Sequence, residues 1–291
     1  MSDLTTPDAQ RSTVAIDFGA SNTDVVLSQG SVVRRWKVPT IGQPDDARVR
    51  AVLAAGELAP QDVASIAVTG GNREQLSPTI DGRPVRHVDE VNAIGRGGLA
   101  LAGVERAIVT SAGSGTAVVA AGPDGARHVT GSGVGGGTLV GLGRMLLGIT
   151  DPIALDTLAA AGSPVGLNLT IGEILGGAIG TLPPDTTAVN FGRVARGPVN
   201  ASPEDTAAAL VNMVAQVIAI IAINAARATQ HDHIVIVGHL TDLPSVRETF
   251  RLVGQFYGAT LTVPEHGGYA TATGALLHAG FAEIRKRDIG Q

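Results

Sequence analysis

Short apolar runs closed by small or polar residues recur along the chain and set its rhythm. Residues 14–16 and 25–27 flank a polar turn holding Asp17, Gly19, Ser21, Asn22 and Thr23, a pattern that predicts strand, tight glycine turn and strand. A third strand is expected over residues 32–38. The spacing of Ala47, Val49, Val52 and Leu53 predicts a helix over residues 45–58. Residues 63–69 read as a buried strand ending in Gly70-Gly71-Asn72, and ligands bind at the carboxyl ends of such strands in open α/β sheets. Asp89 or its neighbour can cap a helix running through Ala100, with Glu90 in its first turn; acids there also simply oppose the helix dipole. Residues 107–121 repeat the opening design, an apolar strand, a small Gly/Ser/Thr turn and a second apolar strand, and residues 126–130 add a third strand.

Seven glycines then fall between Gly131 and Gly143, interleaved with Thr138, Leu139, Val140 and Leu142, and residues 142–147 look helical. A run of amides opening onto a helix N-terminus is an anion site, and phosphate is the usual guest; the plainer alternative is a flexible linker. Further helices are expected over residues 151–161, 202–229 and 245–257, strands over 233–240 and 260–263, and a final helix fed by the loop from Glu265. Residues 167–176 and 182–192 read as loop-rich. The turn at Gly238 is placed to admit a nucleotide base or ribose. Residues 207–226 are apolar on most sides, but Asn212, Gln216 and Asn224 along them, with no positive flank, favour a buried domain or dimer helix over a membrane span.

Composition narrows the class. Aromatic residues make up only 3% while 44% of the chain is hydrophobic, so its cores are built from Ala, Val, Ile and Leu, as suits parallel sheets packed against helices. A length of 291 residues argues for about two domains. A net charge of −5 without a long basic run argues against nucleic acid or an anionic membrane as partner. The absence of cysteine excludes disulfides, thiolate catalysis and iron–sulfur clusters. Residues 1–12 are polar, lack an apolar core, and read as a loose tail, which makes the cytoplasm the expected compartment. The histidines show no metal-ligand spacing.

Asp17, at a strand end beside a small-residue turn, is the candidate for the water shell of a Mg²⁺ ion, the ordinary alternative being an Asx turn. Once the pieces are lined up, the chain resembles the type II pantothenate kinases of the actin-like, acetate and sugar kinase superfamily. The carrying stretches are Asp17-Phe-Gly-Ala-Ser21, Asp89-Glu-Val91 with Gly97, Gly113-Ser-Gly-Thr116, Val129-Thr-Gly-Ser-Gly-Val-Gly-Gly-Gly-Thr-Leu-Val-Gly-Leu142, Leu182-Pro-Pro-Asp-Thr-Thr-Ala-Val-Asn-Phe-Gly192, Ile234-Val-Ile-Val-Gly238 and Glu265-His-Gly-Gly-Tyr269. They keep the family's order over nearly all of residues 13–280.

The resemblance implies an α/β fold of two ribonuclease-H-like (actin-like ATPase) domains flanking a nucleotide cleft, divided into residues 13–103 and 104–291. It also implies a homodimer and MgATP-dependent phosphorylation of the primary hydroxyl of pantothenate, the first step of coenzyme A biosynthesis. Glu90 matches the catalytic carboxylate. ATP is expected at Asp17, Gly19, Ser21, Asn22, Gly113, Ser114, Gly115, Thr116, Gly135, Gly136, Gly137, Thr138 and Gly238, Mg²⁺ at Asp17, and the acceptor at Ser114, His128 and Tyr269. Three positions depart from the pattern: Asp24 replaces a phosphate-contacting Lys, Ala117 a hydroxyl residue, and His128 an Arg that would fork onto the acceptor carboxylate. They leave open a pantoyl compound without that carboxylate, an amino-sugar-like acceptor, or a sensor of nucleotide or acyl-CoA.

Overall fold

The computed structural model describes residues 12–29, 32–180 and 182–279. The expected tail therefore lies outside the described residues, apart from Ser12. In chain order the elements are β1 (Ser12–Phe18), β2 (Asn22–Gln29), β3 (Val32–Pro39), α1 (Asp46–Ala55), β4 (Ser65–Gly70), β5 (Thr79–Ile80), β6 (Arg83–His87), α2 (Glu90–Ala102), β7 (Ala107–Ala112), β8 (Thr116–Gly122) and β9 (Gly125–Ser132). They continue with α3 (Gly136–Leu147), α4 (Pro152–Ala160), β10 (Leu169–Thr170), α5 (Ile171–Leu175), β11 (Thr187–Val189), α6 (Pro203–Thr229), β12 (Ile234–Val237), α7 (Pro244–Tyr257), β13 (Leu261–Thr262) and α8 (Ala270–His278). One sheet has the order β3-β2-β1-β4-β6-β5 and another β13-β12-β7-β8-β9; β10 and β11 form a small third.

The contacts divide the chain into two units. The first takes the described residues up to Val109, then Val119–His128, then those from Pro264; the second takes Thr110–Val118 and Val129–Val263. This differs from a single cut between residues 103 and 104, and glycine explains why. A Cβ on Gly97 would run into the Ala270 carbonyl, and one on Gly274 into the Ala93 carbonyl, so α2 and α8 pack backbone to backbone. The last helix thus belongs to the first unit despite its distance in sequence.

In the first unit, strand alternation sorts the side chains onto two faces. Val14, Ile16, Phe18, Val25, Leu27, Ile66 and Val68 pack with Val49, Val52 and Leu53 of α1. On the other face Ala15, Val26 and Ala67 meet Ala93 of α2 and Ala272, Ala275 and Leu276 of α8. Small residues fill that second face, which lets the helices sit close. Asp45 caps α1 by accepting from Arg48 N (2.7 Å). Gly56 ends it where a Cβ would touch the Trp36 ring.

The second unit is built around α6. Its Ser202–Asp205 capping box is reciprocal: Asp205 N donates to Ser202 Oγ (3.1 Å) and Ser202 N to Asp205 Oδ2 (3.3 Å). Leu210, Val214, Ile218 and Ile223 are fully buried. The helix is long and apolar enough to cross a bilayer, but 61% of its most apolar window is buried within the chain. Asn212 and Gln216 hydrogen-bond the β11 arm, through Thr187 and Asn190. The stretches expected to be loops accordingly contain β10, α5 and β11, held by those amides and by Asn168.

Candidate functional site

In the first unit, the chemistry collects at one edge of the sheet. β1 runs parallel to β4 and β4 to β6, so Phe18, Gly70 and His87 end their strands on the same side. The β1–β2 turn carrying Gly19, Ser21 and Asn22 lies there. Gly19 is required, because a Cβ would stand 2.7 Å from the Asn22 carbonyl oxygen. Thr40, which the sequence pattern did not single out, braces this turn. Its hydroxyl donates to the Gly19 carbonyl (2.8 Å), and its N–H to that of Ser21 (3.0 Å). Asp17 is half-buried, and its Oδ1 stands 2.7 Å from where a Gly70 Cβ would be. With φ of +88°, Gly70 both turns the chain and makes room for that carboxylate.

Glu90 begins α2, which follows β6, the second strand from β1 in the sheet. Asp89 is the cap, accepting from Asn92 N (3.1 Å), which leaves Glu90 exposed as the first helical residue. A carboxylate in this place gains from the helix dipole and faces solvent at the carboxyl edge of the sheet. Tyr269 is half-buried and, like Val33, packs against the Ala-rich core. It also lies near Arg35, whose guanidinium burial pushes below its ordinary range while the tyrosine raises it. His128 is exposed on β9.

In the second unit the glycine run has a more definite job than a loose phosphate loop. The helix α3 begins at Gly136, six residues earlier than the pattern suggests. Gly136 N donates to the Gly113 carbonyl (2.7 Å) and Gly137 N to that of Ser114 (2.9 Å). Gly135 N donates to Thr138 Oγ1 (3.2 Å), and the Thr138 hydroxyl donates to the Gly133 carbonyl (3.1 Å). The amides of Gly135, Gly136 and Gly137, expected to face phosphate, are each hydrogen-bonded within the chain, and the N-terminus of α3 is docked on the β7–β8 turn. The Thr116 hydroxyl ties the far side of that turn to the Val134 carbonyl (2.7 Å). Ser114 is half-buried and Gly115 is exposed at the tip. Gly238, with φ of +96°, ends β12 so close to β7 that a Cβ would stand 2.5 Å from the Ala112 carbonyl oxygen. Its glycine is explained by that approach. A cavity of about 470 Å³ in this unit is lined by Thr186, Asn190, Asn212, Gln216, Leu252 and Tyr257, among others.

Acids at the carboxyl edge of one sheet and glycine turns in a second sit on a mixed-sheet α/β fold. The activator of the 2-hydroxyisocaproyl-CoA dehydratase from Clostridium difficile, solved with ADPNP, shares it at a TM-score of 0.64 and 17% identity, over 95% of this chain and 96% of that one. A ROK family glucokinase from Streptomyces griseus shares it at 0.53 and 17%, over 91% and 97%. The family model described as Fumble matches residues 107–278. The type II pantothenate kinase of Oceanobacillus iheyensis is 30% identical over 221 residues, 74% of this chain and 82% of the relative. That of Bacillus cereus strain G9842 is 28% identical over 230 residues, 75% and 82%. The chain belongs to the Fumble family, that of the type II pantothenate kinases.

Proposed function

We propose that this protein transfers the γ-phosphoryl group of ATP to the primary hydroxyl of pantothenate or a close pantoyl compound, with Glu90 as the catalytic carboxylate. The observation that carries the reading is the position of Glu90 in a chain of this family: exposed, at the start of a capped helix, on the sheet edge that also holds Asp17. In the transfer, the acceptor oxygen bonds to the γ-phosphorus and the bridging oxygen leaves with ADP. Glu90 takes the hydroxyl proton. Phosphoryl transfer of this kind depends mostly on positioning and charge stabilisation.

The donors present fit Mg²⁺, a hard cation that keeps several waters and takes carboxylate oxygens. Asp17 is half-buried with its carboxylate seated over Gly70, and would hold such a hydrated ion. The ion supplies charge neutralisation at the phosphates. The turns at Gly19 and at Ser114–Thr116 would contact the phosphates, and Gly136 and Gly137 brace the second of these through Gly113 and Ser114. Pantothenate recognition would involve Ser114, His128 and Tyr269. A homodimer and a cytoplasmic location belong to this reading through the family alone.

The test is ADP release with a panel of pantothenate, pantetheine, pantoate and N-acetylhexosamines. Phosphorylation of pantothenate or pantetheine, abolished at least 100-fold by Glu90→Gln, is expected for a general base in such a role. Full turnover by Glu90→Gln removes the catalytic assignment. Turnover of hexosamines alone moves the acceptor to that class, and nucleotide binding without any turnover makes the protein a sensor.

A further inference from the structure

The edge of the first sheet carries more than Asp17. In register across β3, β2, β1 and β4 stand Lys37, Asp24, Asp17 and Thr69. Alternation places all four on one face of the sheet. Val26 two residues after Asp24, Ala15 two before Asp17, and Ala67 two before Thr69 all join the core beneath α2 and α8, and Val33 on β3 joins it too. Asp24 is 5% exposed and Thr69 is 0% exposed. Two carboxylates directly opposite one another on neighbouring antiparallel strands have Cβ atoms about 5 Å apart and repel. The Thr69 hydroxyl is buried without a hydrogen-bond partner among the described residues. A buried hydroxyl left so costs on the order of 1–3 kcal/mol.

A hydrated divalent cation suits this arrangement, since it binds two carboxylates together and its waters satisfy a hydroxyl. We propose that Asp24 and Thr69 act with Asp17 as an oxygen-donor site for Mg²⁺, directly or through its waters. The inference rests on the kinase reading above and names residues that reading leaves out. Asp24 is then not a lost cation at the phosphates but a second carboxylate for the metal. Lys37, exposed at the outer end of the row, offsets part of the added negative charge.

The test is Mn²⁺ titration of the intact protein followed by electron paramagnetic resonance, with and without ADP, alongside melting temperature with and without Mg²⁺. Asp24→Asn is expected to weaken Mn²⁺ binding by about tenfold or more. Thr69→Val keeps the shape and removes the orphaned hydroxyl. It is expected to raise the metal-free melting temperature and to reduce the rise that Mg²⁺ produces, whereas Thr69→Ser keeps that rise. Unchanged Mn²⁺ affinity in a folded Asp24→Asn protein, together with a full Mg²⁺ response in Thr69→Val, overturns the proposal. Acceptor turnover is scored separately. Wild-type turnover with unaltered metal binding in both variants defeats this site and leaves the kinase reading standing. Loss of metal binding in the variants, with no turnover of any acceptor, does the reverse.

Discussion

Replacing Gly135 by alanine probes how the glycine run is built. Its backbone is extended, so conformation alone permits alanine. The obstacle is packing: the added Cβ would stand 2.7 Å from the Ser114 carbonyl oxygen, 2.8 Å from that of Gly113 and 2.8 Å from Gly115 Cα. All three are backbone atoms, and ordinary contact begins at 3.4 Å. The start of α3 must therefore retreat from the β7–β8 turn by roughly 0.6–0.7 Å. That stretches the Gly136–Gly113 and Gly137–Ser114 hydrogen bonds, now 2.7 and 2.9 Å, beyond the usual limit of about 3.2 Å. Two weakened bonds at about 0.5–1.5 kcal/mol each, with overpacking of about 1–3 kcal/mol, give a loss of about 2–6 kcal/mol. Gly141, in the same helix with nothing within 4 Å of a Cβ, is the control. Gly141→Ala should gain up to about 1 kcal/mol from helix propensity. Urea denaturation of both variants reads the difference, and nucleotide affinity should fall only in Gly135→Ala. A Gly135→Ala protein within about 0.5 kcal/mol of wild type would refute the docking argument.

Other expectations follow from the same geometry. Gly274→Ala should separate α8 from α2 and lower the melting temperature more than any surface substitution, because the colliding atom is the Ala93 carbonyl; an unchanged melting curve contradicts the backbone contact. Ser202→Ala removes the α6 cap and should cost about 1 kcal/mol by urea denaturation. The Ser163 and Ser202 N–H groups hold the Asp205 carboxyl below its ordinary 3.8, and the Thr170 N–H, then Arg193, hold Glu173 below its ordinary 4.5. Both groups bind fewer protons folded than unfolded, so their stabilisation is complete above those ordinary values and is lost as pH falls through the lower folded ones. The urea midpoint should therefore drop between about pH 5 and pH 3, and less steeply in Asp205→Asn; equal slopes would remove Asp205 from the account.

Much of this protein is written locally. The β1–β2 turn, the Asp89 and Ser202 caps, and the apolar strands are visible because cap chemistry and side-chain period act within a few residues. Glycine was legible as important but not as to its purpose. In residues 131–143 the eye sees free amides, whereas Gly136 and Gly137 donate to carbonyls more than 20 residues earlier in the chain. Gly97, visible as part of a family motif, and Gly274 gave no hint of their packing role, since each matters there only when another backbone arrives. Thr40 likewise braces the first turn only because β3 brings it back to Gly19.

What the sequence determined by itself is therefore the kind of fold and the family, through ordered motifs whose meaning is local. The tertiary structure alone decided which elements share a unit, that α8 closes on α2, and that Lys37, Asp24, Asp17 and Thr69 form one row. Register and close approach join residues far apart in the chain, and no short-range pattern encodes them.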